Sequence, residues 1–344
     1  MIFTTNILLR DWQKDAFKSW VKKNGKGIIS VVTGGGKTIF GLYCAVFLEQ
    51  KKILNNILII VPTKTLQDQW ISTILSVTNI KENDINTSWS KKNKVNIIVN
   101  LSAQKIQFES YETQNSILIL DECHRYGIES NCNILKANFS YKLGLTATLE
   151  RKYDDGVENY LIPNLGGVIY EYGYKQALKD EVISNYELTN IRTFFNETEN
   201  TKYKKLSKYI SKTVSIIEQE KSKKNCDFEY LNFLKEGLKI TLFKRSRLVN
   251  NTNQRIGVCV KLISDFHHQK KIVFCESINQ AETIKQICKS IGISVNTYHS
   301  KQKKGERLAS LISFQKNFSN TLIGCKSLDE GFDVPDIEVG IIVS

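Results

Sequence analysis

Five apolar, β-branched runs, at residues 28–32, 57–61, 96–99, 117–120 and 141–145, alternate with stretches of helical period near 37–50, 65–75, 103–108 and 132–137. Strands that are apolar on both faces must be covered on both, and a helix between successive strands supplies that cover, so the pattern predicts a parallel α/β sheet. The alternation resumes after residue 250, with strands at 271–275, 294–298, 320–324 and 338–343 and helices near 278–291 and 303–316. A chain of 344 residues is long enough for two such lobes. The apolar runs are far too short to span a bilayer, and the N-terminal MIFTTNILLRDWQ lacks the charged-then-apolar form of a signal peptide. Eight cysteines without a CxxC pair read as reduced, mostly buried thiols. A cytoplasmic protein, or one associated with the nucleoid or a replication site, is the expectation.

Between the lobes the character changes. Residues 198–250 are polar and Lys-rich, with Leu206, Tyr209, Ile210, Val214 and Ile217 at three- and four-residue spacings, which predicts an amphipathic helical insertion. The whole chain carries a formal charge of +13, and residues 201–247 alone hold thirteen Lys or Arg against five Asp or Glu. Such a surplus suits a phosphate backbone, although a charge run can equally be a solvated face. The resulting division is a first lobe over 1–190, a basic helical insertion over 191–250 and a second lobe over 251–344.

Two motifs carry chemistry. The first is Thr33-Gly34-Gly35-Gly36-Lys37-Thr38, after an apolar strand and opening a helix. Glycines let the backbone fold around a phosphate, the helix N-terminus faces the anion, Lys37 reaches the β- and γ-phosphates and Thr38 holds Mg²⁺. The strict GxxxxGKT form fails at its first position, Val31, but a plain strand-to-helix turn would not need the Lys-Thr pair. The second is Asp121-Glu122-Cys123-His124, at the carboxyl end of a buried strand, where side chains of an open α/β sheet reach the ligand crevice. Asp121 would bind Mg²⁺ and Glu122 would orient the attacking water. Lys37, Asp121 and Glu122 are therefore the candidate catalytic set.

In this order the motifs resemble those of the superfamily 2 helicases and translocases. Leu9-Arg10-Asp11-Trp12-Gln13 looks like the Q-type motif, which would place Gln13 on adenine and Arg10 beside the nucleotide pocket. TGGGKT is similar to motif I and DECH to motif II. Val61-Pro62-Thr63-Lys64, followed by Leu66, Gln69 and Trp70, resembles motif Ia; with Gln104 in Leu101-Ser102-Ala103-Gln104, it implies backbone contacts from Pro62, Thr63, Lys64 and Gln104. Leu145-Thr146-Ala147-Thr148 resembles motif III, whose Thr146 and Thr148, with His124, would couple nucleotide to track. Ile272-Val273-Phe274-Cys275 resembles motif IV, and Asp329-Glu330-Gly331-Phe332-Asp333-Val334-Pro335 motif V, with Gly331 and Asp333 facing nucleotide and track. The TAT triplet, the segment 150–156 and the place of the insertion lean toward the XPB-type DNA branch.

The resemblance implies two RecA-like lobes with ATP and Mg²⁺ between them, and a hinge cycle that walks along DNA, double-stranded favoured over single-stranded. Two alternatives stay open: an ATP-binding interaction module, with protein partners in a larger complex, and an RNA helicase. No membrane partner is implied. The family's Arg-rich motif VI follows the strand after motif V; here the sequence stops at Ser344 and no arginine follows Arg307. The expectation is a truncated motor, or one completed by a partner, that binds ATP but turns it over poorly. His267-His268 reads as a solvated helix end, His299 as a packing or track residue, and Trp20, Trp70 and Trp89 as packing residues.

Overall fold

The computed structural model describes residues 7–90, 94–149, 154–223, 227–325 and 336–343. It divides into two compact units, Met1–Leu188 and Thr189–Ser344.

In the first unit, the order along the chain is α1 (Asp11–Lys22), β1 (Lys26–Val31), α2 (Lys37–Gln50), β2 (Asn56–Val61), α3 (Lys64–Val77), β3 (Ile85–Asn86), β4 (Val95–Val99), α4 (Asn100–Ala103), α5 (Ser110–Thr113), β5 (Ser116–Asp121), α6 (Cys132–Lys136), β6 (Tyr141–Thr146), α7 (Ile162–Leu165), β7 (Val168–Tyr172) and α8 (Tyr174–Lys179). The seven strands form one parallel sheet in the order β3-β4-β2-β5-β6-β1-β7. Side chains alternate along each strand, so Ile57, Ile59 and Val61 join a layer with Trp12, Phe40 and Trp70, while Leu58 and Ile60 join one with Tyr126, Ile134 and Phe139. Both layers are fully buried, which is why the strands read as continuous apolar runs.

The register sets the site. Ser30 of β1 pairs with Thr146 of β6, and Asp121 of β5 pairs with Leu145 of β6. The glycine loop after β1, the acidic pair after β5 and the threonines after β6 therefore leave one carboxyl edge on three adjacent strands.

The second unit contains α9 (Glu197–Lys221), α10 (Phe228–Asn250), α11 (Asn253–Asp265), β8 (Lys271–Cys275), α12 (Ile278–Ser290), β9 (Asn296–Tyr298), α13 (Lys304–Gln315), β10 (Thr321–Cys325) and β11 (Val339–Ile342). Its parallel sheet has the order β11-β8-β10-β9. Val273 and Ile323 pack against Cys259, Ile263 and Ile284 on one face; Ile272 and Leu322 pack against Phe314 on the other.

The basic segment is two helices packed against each other, with Ile210, Ile217 and Leu231 buried. Asn196 caps α9, accepting from the Glu199 N–H at 2.8 Å, while the other end of the exchange is a Glu199 carboxylate accepting from the Asn196 N–H at 2.9 Å. Asp227 caps α10 in the same way, accepting from the Tyr230 N–H at 3.0 Å. The pair belongs to the second unit. Glu199 also accepts from the Asn253 N–H at 2.9 Å, and Gln280 of α12 donates to the Asn250 carbonyl at 2.8 Å.

The structure corrects the sequence reading at two points. The helix expected near 103–108 is α4 instead, ending at Ala103. The Asn133 amide donates to the carbonyls of Gln104 and Ile106 at 2.8 Å each, tying the stretch to α6, while Ile106 and Phe108 pack against the core. Helices α1, α5, α7, α8 and α11 and strands β3 and β7 are additions to the elements that the pattern predicts; α1 has strong amphipathic spacing, burying Trp12, Gln13, Ala16 and Trp20, but its residues read as a motif first. All seven described cysteines are free thiols. Among the described residues no helix is long and apolar enough to cross a membrane.

Strand β6 also buries a cation. Lys142 is 6% exposed and its ammonium donates to the Leu135 carbonyl at 2.8 Å. Burial, with the charge of Lys26 nearby, pulls its pKa down to about 8. The unfolded chain then holds the more tightly bound proton, so this lysine costs stability below pH 8 and the cost disappears as pH rises toward the ordinary lysine value. Lys142→Met should shed that dependence. The stability difference between variant and wild type, measured by urea denaturation, should shrink by about 2–3 kcal/mol between pH 7 and about pH 10.5.

Candidate nucleotide site

The loop between β1 and α2 is shaped by its glycines. Gly34 and Gly36 have φ of 79° and 100°, a left-handed region that a side chain disfavours. A Cβ on Gly35 would lie 2.6 Å from a Val31 methyl and 2.9 Å from the Val32 carbonyl oxygen. Gly36 is the N-cap of α2, so the first N–H groups of the helix open toward the loop. Lys37 and Thr38 form the first turn.

Residues at the start of α1 brace this loop. The Arg10 guanidinium donates to the Gly35 carbonyl at 3.4 Å, and Gln13 Nε2 donates to the Gly36 carbonyl at 3.1 Å. Gln13 is 2% exposed, and its Oε1 accepts from the Arg10 N–H at 2.8 Å. In the structure, Gln13 is therefore a strut under the phosphate loop, a role its motif did not announce. Thr33 lies in the turn and, with Thr148, lines a cavity of about 320 Å³ at the carboxyl edge.

Lys37 Nζ points back across the loop, 3.3 Å from the Val31 carbonyl and 3.5 Å from Glu122 Oε1. Glu122 has φ 50° and ψ 51°, a left-handed conformation costly for a residue with a Cβ. That turn places its carboxylate between Lys37 and His124, whose Nδ1 is 3.6 Å from Oε2. His124 Nδ1 also lies 2.9 Å from Thr146 Oγ1. The Thr146 hydroxyl donates to the Thr148 carbonyl at 2.6 Å, so it accepts from the imidazole, which places a proton on Nδ1. A row of polar groups thus runs from Lys37 past Glu122 and His124 to Thr146 and Thr148.

Asp121 ends β5 and is 3% exposed. Burial raises its pKa; the indole N–H of Trp70, donating to Oδ2 at 2.8 Å, and the Lys37 charge oppose that rise. Oδ1 accepts from the Glu122 N–H at 3.0 Å. Cys123 is buried beside these carboxylates, and burial followed by their charge pushes its thiol pKa far up, so it is no nucleophile.

The donor set tests for a cation. Among the described residues no three His, Cys, Asp or Glu side chains are grouped to hold a metal. One carboxylate and one hydroxyl, Asp121 and Thr38, are hard oxygen donors of the kind that bind Mg²⁺ when phosphates and water supply the other ligands. The residues fit such a group.

The residues read as track contacts are more scattered. Pro62 follows β2, Thr63 caps α3 through its hydroxyl (3.3 Å from the Leu66 N–H), and Lys64 is exposed. The Gln104 amide is engaged with Ser130 at 3.1 Å and Asn131 at 2.9 Å. Gly331 and Asp333 lie outside the described residues. His299 is buried with Nε2 2.8 Å from Glu282, and His267 and His268 are exposed after α11.

A glycine loop with Lys-Thr on a helix N-terminus, facing a carboxylate pair on the next strand but one, defines a P-loop nucleotide-binding unit. Residues 6–151 match the family of the type III restriction enzyme res subunit, and residues 254–344 match the helicase conserved C-terminal domain. The chain belongs to the superfamily 2 helicases and translocases, on their XPB-like side. It is 29% identical to the DNA 3′-5′ translocase XPB2 of Sulfurisphaera tokodaii, over 98% of this chain and 75% of that protein. It is 22% identical to a protein bearing the name DNA 3′-5′ helicase Rad25 in Haloarcula marismortui, over 98% of this chain and 48% of that one. The helicase domain of Pyrococcus furiosus Hef has the same fold, with a TM-score of 0.58 at 17% identity, covering 97% of this chain and 89% of that domain.

The loop geometry has a direct consequence. Gly36→Ala places a Cβ at positive φ and 3.1 Å from Gln13 Nε2. It should lower stability by about 1–2 kcal/mol and weaken nucleotide binding at least tenfold. Gly257→Ala, in the interior of α11 with nothing within 4 Å, should be neutral or stabilising. Thermal melts and nucleotide titrations of both variants check the contrast.

Proposed function

We propose that this chain binds ATP with Mg²⁺ at the loop of residues 33–38 and that hydrolysis drives movement along DNA, duplex favoured over single strands. The observation that carries the reading is the row of polar groups from Lys37 past Glu122 and His124 to Thr146, which joins the phosphate loop to the acidic pair and to the β6 end within one carboxyl edge. The names of the two relatives, a DNA translocase and a DNA helicase, support DNA as the track.

In this reading the loop N–H groups and Lys37 grip the β- and γ-phosphates, and Arg10 and Gln13 keep the loop in shape. Asp121 and Thr38 would hold Mg²⁺, which when bound would neutralise charge that develops on the phosphates. Glu122 orients a water toward the γ-phosphorus and accepts its proton as the new P–O bond forms and ADP leaves. Its ion pair with Lys37 must open for this, which the phosphates accomplish by taking over the ammonium. His124 reports the state of Glu122 to Thr146 and Thr148. The basic pair α9–α10, with the exposed Lys64, supplies backbone contacts, so sequence preference should be weak.

ATPase assays with duplex DNA, single-stranded DNA and RNA test the reading; stimulation by RNA alone would overturn the choice of track. Lys37→Ala should abolish ATP binding. Glu122→Gln should keep ATP binding and lose at least about a hundredfold in turnover. The charge of α9 gives a separate expectation. Lys204, Lys205, Lys208 and Lys212 are all exposed. Changing all four to Gln should weaken duplex binding and flatten the log–log salt dependence by about 0.9 for each phosphate the helix no longer neutralises, with nucleotide affinity unchanged.

A further inference from the structure

Trp70 lies on α3, two helical turns from the Thr63 cap, and is completely buried. A buried indole N–H needs an acceptor, and this one finds Asp121 Oδ2 at 2.8 Å, across 51 residues of sequence. The ring is wedged between α2 and β5. A Cβ on Gly41 of α2 would sit 3.1 Å from Trp70 Cη2, 3.0 Å from a Leu145 methyl and 3.6 Å from Ile119. The glycine makes the space that lets the phosphate-loop helix close over the indole.

Asp121 therefore receives one donor on each oxygen: Glu122 N–H on Oδ1 and Trp70 N–H on Oδ2. The first comes from its own neighbour and moves with it. The second comes from another helix and locks the carboxylate's rotation. Each oxygen keeps a second lone-pair direction for a further partner. Groups that hydrogen-bond a metal-binding carboxylate orient it, and losing them costs roughly 10–100-fold in metal affinity or activity.

We propose that Trp70 is a positioning residue, whose indole N–H holds Asp121 in the orientation that takes the nucleotide's divalent cation. The inference rests on the reading of Asp121 as the carboxylate that faces that cation. It assigns a role in the nucleotide site to a side chain that the sequence offers as a packing residue within the motif Ia stretch, and it makes α3, which begins just after Thr63, part of the frame of that site.

The test separates ring from N–H. ADP is titrated calorimetrically into the full chain with and without Mg²⁺, in wild type and Trp70→Phe. The Mg²⁺-free affinity should stay within about twofold, and the gain in affinity on adding Mg²⁺ should fall roughly 10–100-fold. In ¹⁵N-indole spectra, the Trp70 resonance, identified as the one most displaced by Asp121→Asn, should move with Mg²⁺–ADP and stay in place with ADP alone. That second readout uses wild-type packing and holds even where Trp70→Phe fails to fold. An unchanged Mg²⁺ gain in Trp70→Phe, or an indole resonance indifferent to Mg²⁺, overturns the positioning role alone. Wild type that binds ADP no better with Mg²⁺ than without overturns the reading of the site on which the role depends.

Discussion

A carboxylate at the end of a buried strand is the constraint around which the first unit is arranged. Asp121 is almost wholly removed from water, and an ionised group there is stable only if donors and opposite charge replace its hydration. The structure supplies two N–H groups, one from Trp70 and one from Glu122, and the ammonium of Lys37 close by. Each comes from a different place: α3, the turn after β5, and the first turn of α2. The carboxylate thus ties together the three segments that a phosphate-handling site requires, and none of them can shift without disturbing the other two.

The same edge stores backbone strain. Glu122 sits in the left-handed region, whereas the loop before α2 avoids such strain by placing glycines at its two positive-φ positions. Strain of this kind persists only where surrounding bonds over-determine it. Here the Lys37 pair holds the Glu122 side chain, and Arg10 and Gln13 hold the loop carbonyls from below. The strained residue is the one assigned to catalysis, Glu122, while the struts under the glycine loop belong to α1 and its approach.

The second unit uses a smaller sheet and a different surface. Its four strands pack chiefly against α11 and α12, and the long pair α9–α10 is anchored to that same layer through Glu199, Asn250 and Gln280. The capping residues of that pair, Asn196 and Asp227, satisfy the first N–H groups that such exposed helices would otherwise leave to water.

Much of this was legible in the linear sequence. Runs such as 57–61 and 117–120 announce buried strands because every residue along them is apolar, and the glycine loop and the acidic pair are contiguous, so their chemistry can be read without knowing the fold. Length and periodicity likewise marked two α/β lobes and a helical segment between them. What only the tertiary structure decided is which distant side chains meet. Trp70 and Asp121, or Gln13 and Gly36, have no sequence signal linking them, because a hydrogen bond between separate elements depends on strand order and register rather than on spacing along the chain. The stretch expected to be a helix at 103–108 shows the same dependence: Asn133, nearly thirty residues away, donates to the carbonyls of Gln104 and Ile106 there. Local pattern chooses the elements; the sheet, once assembled, chooses the partners.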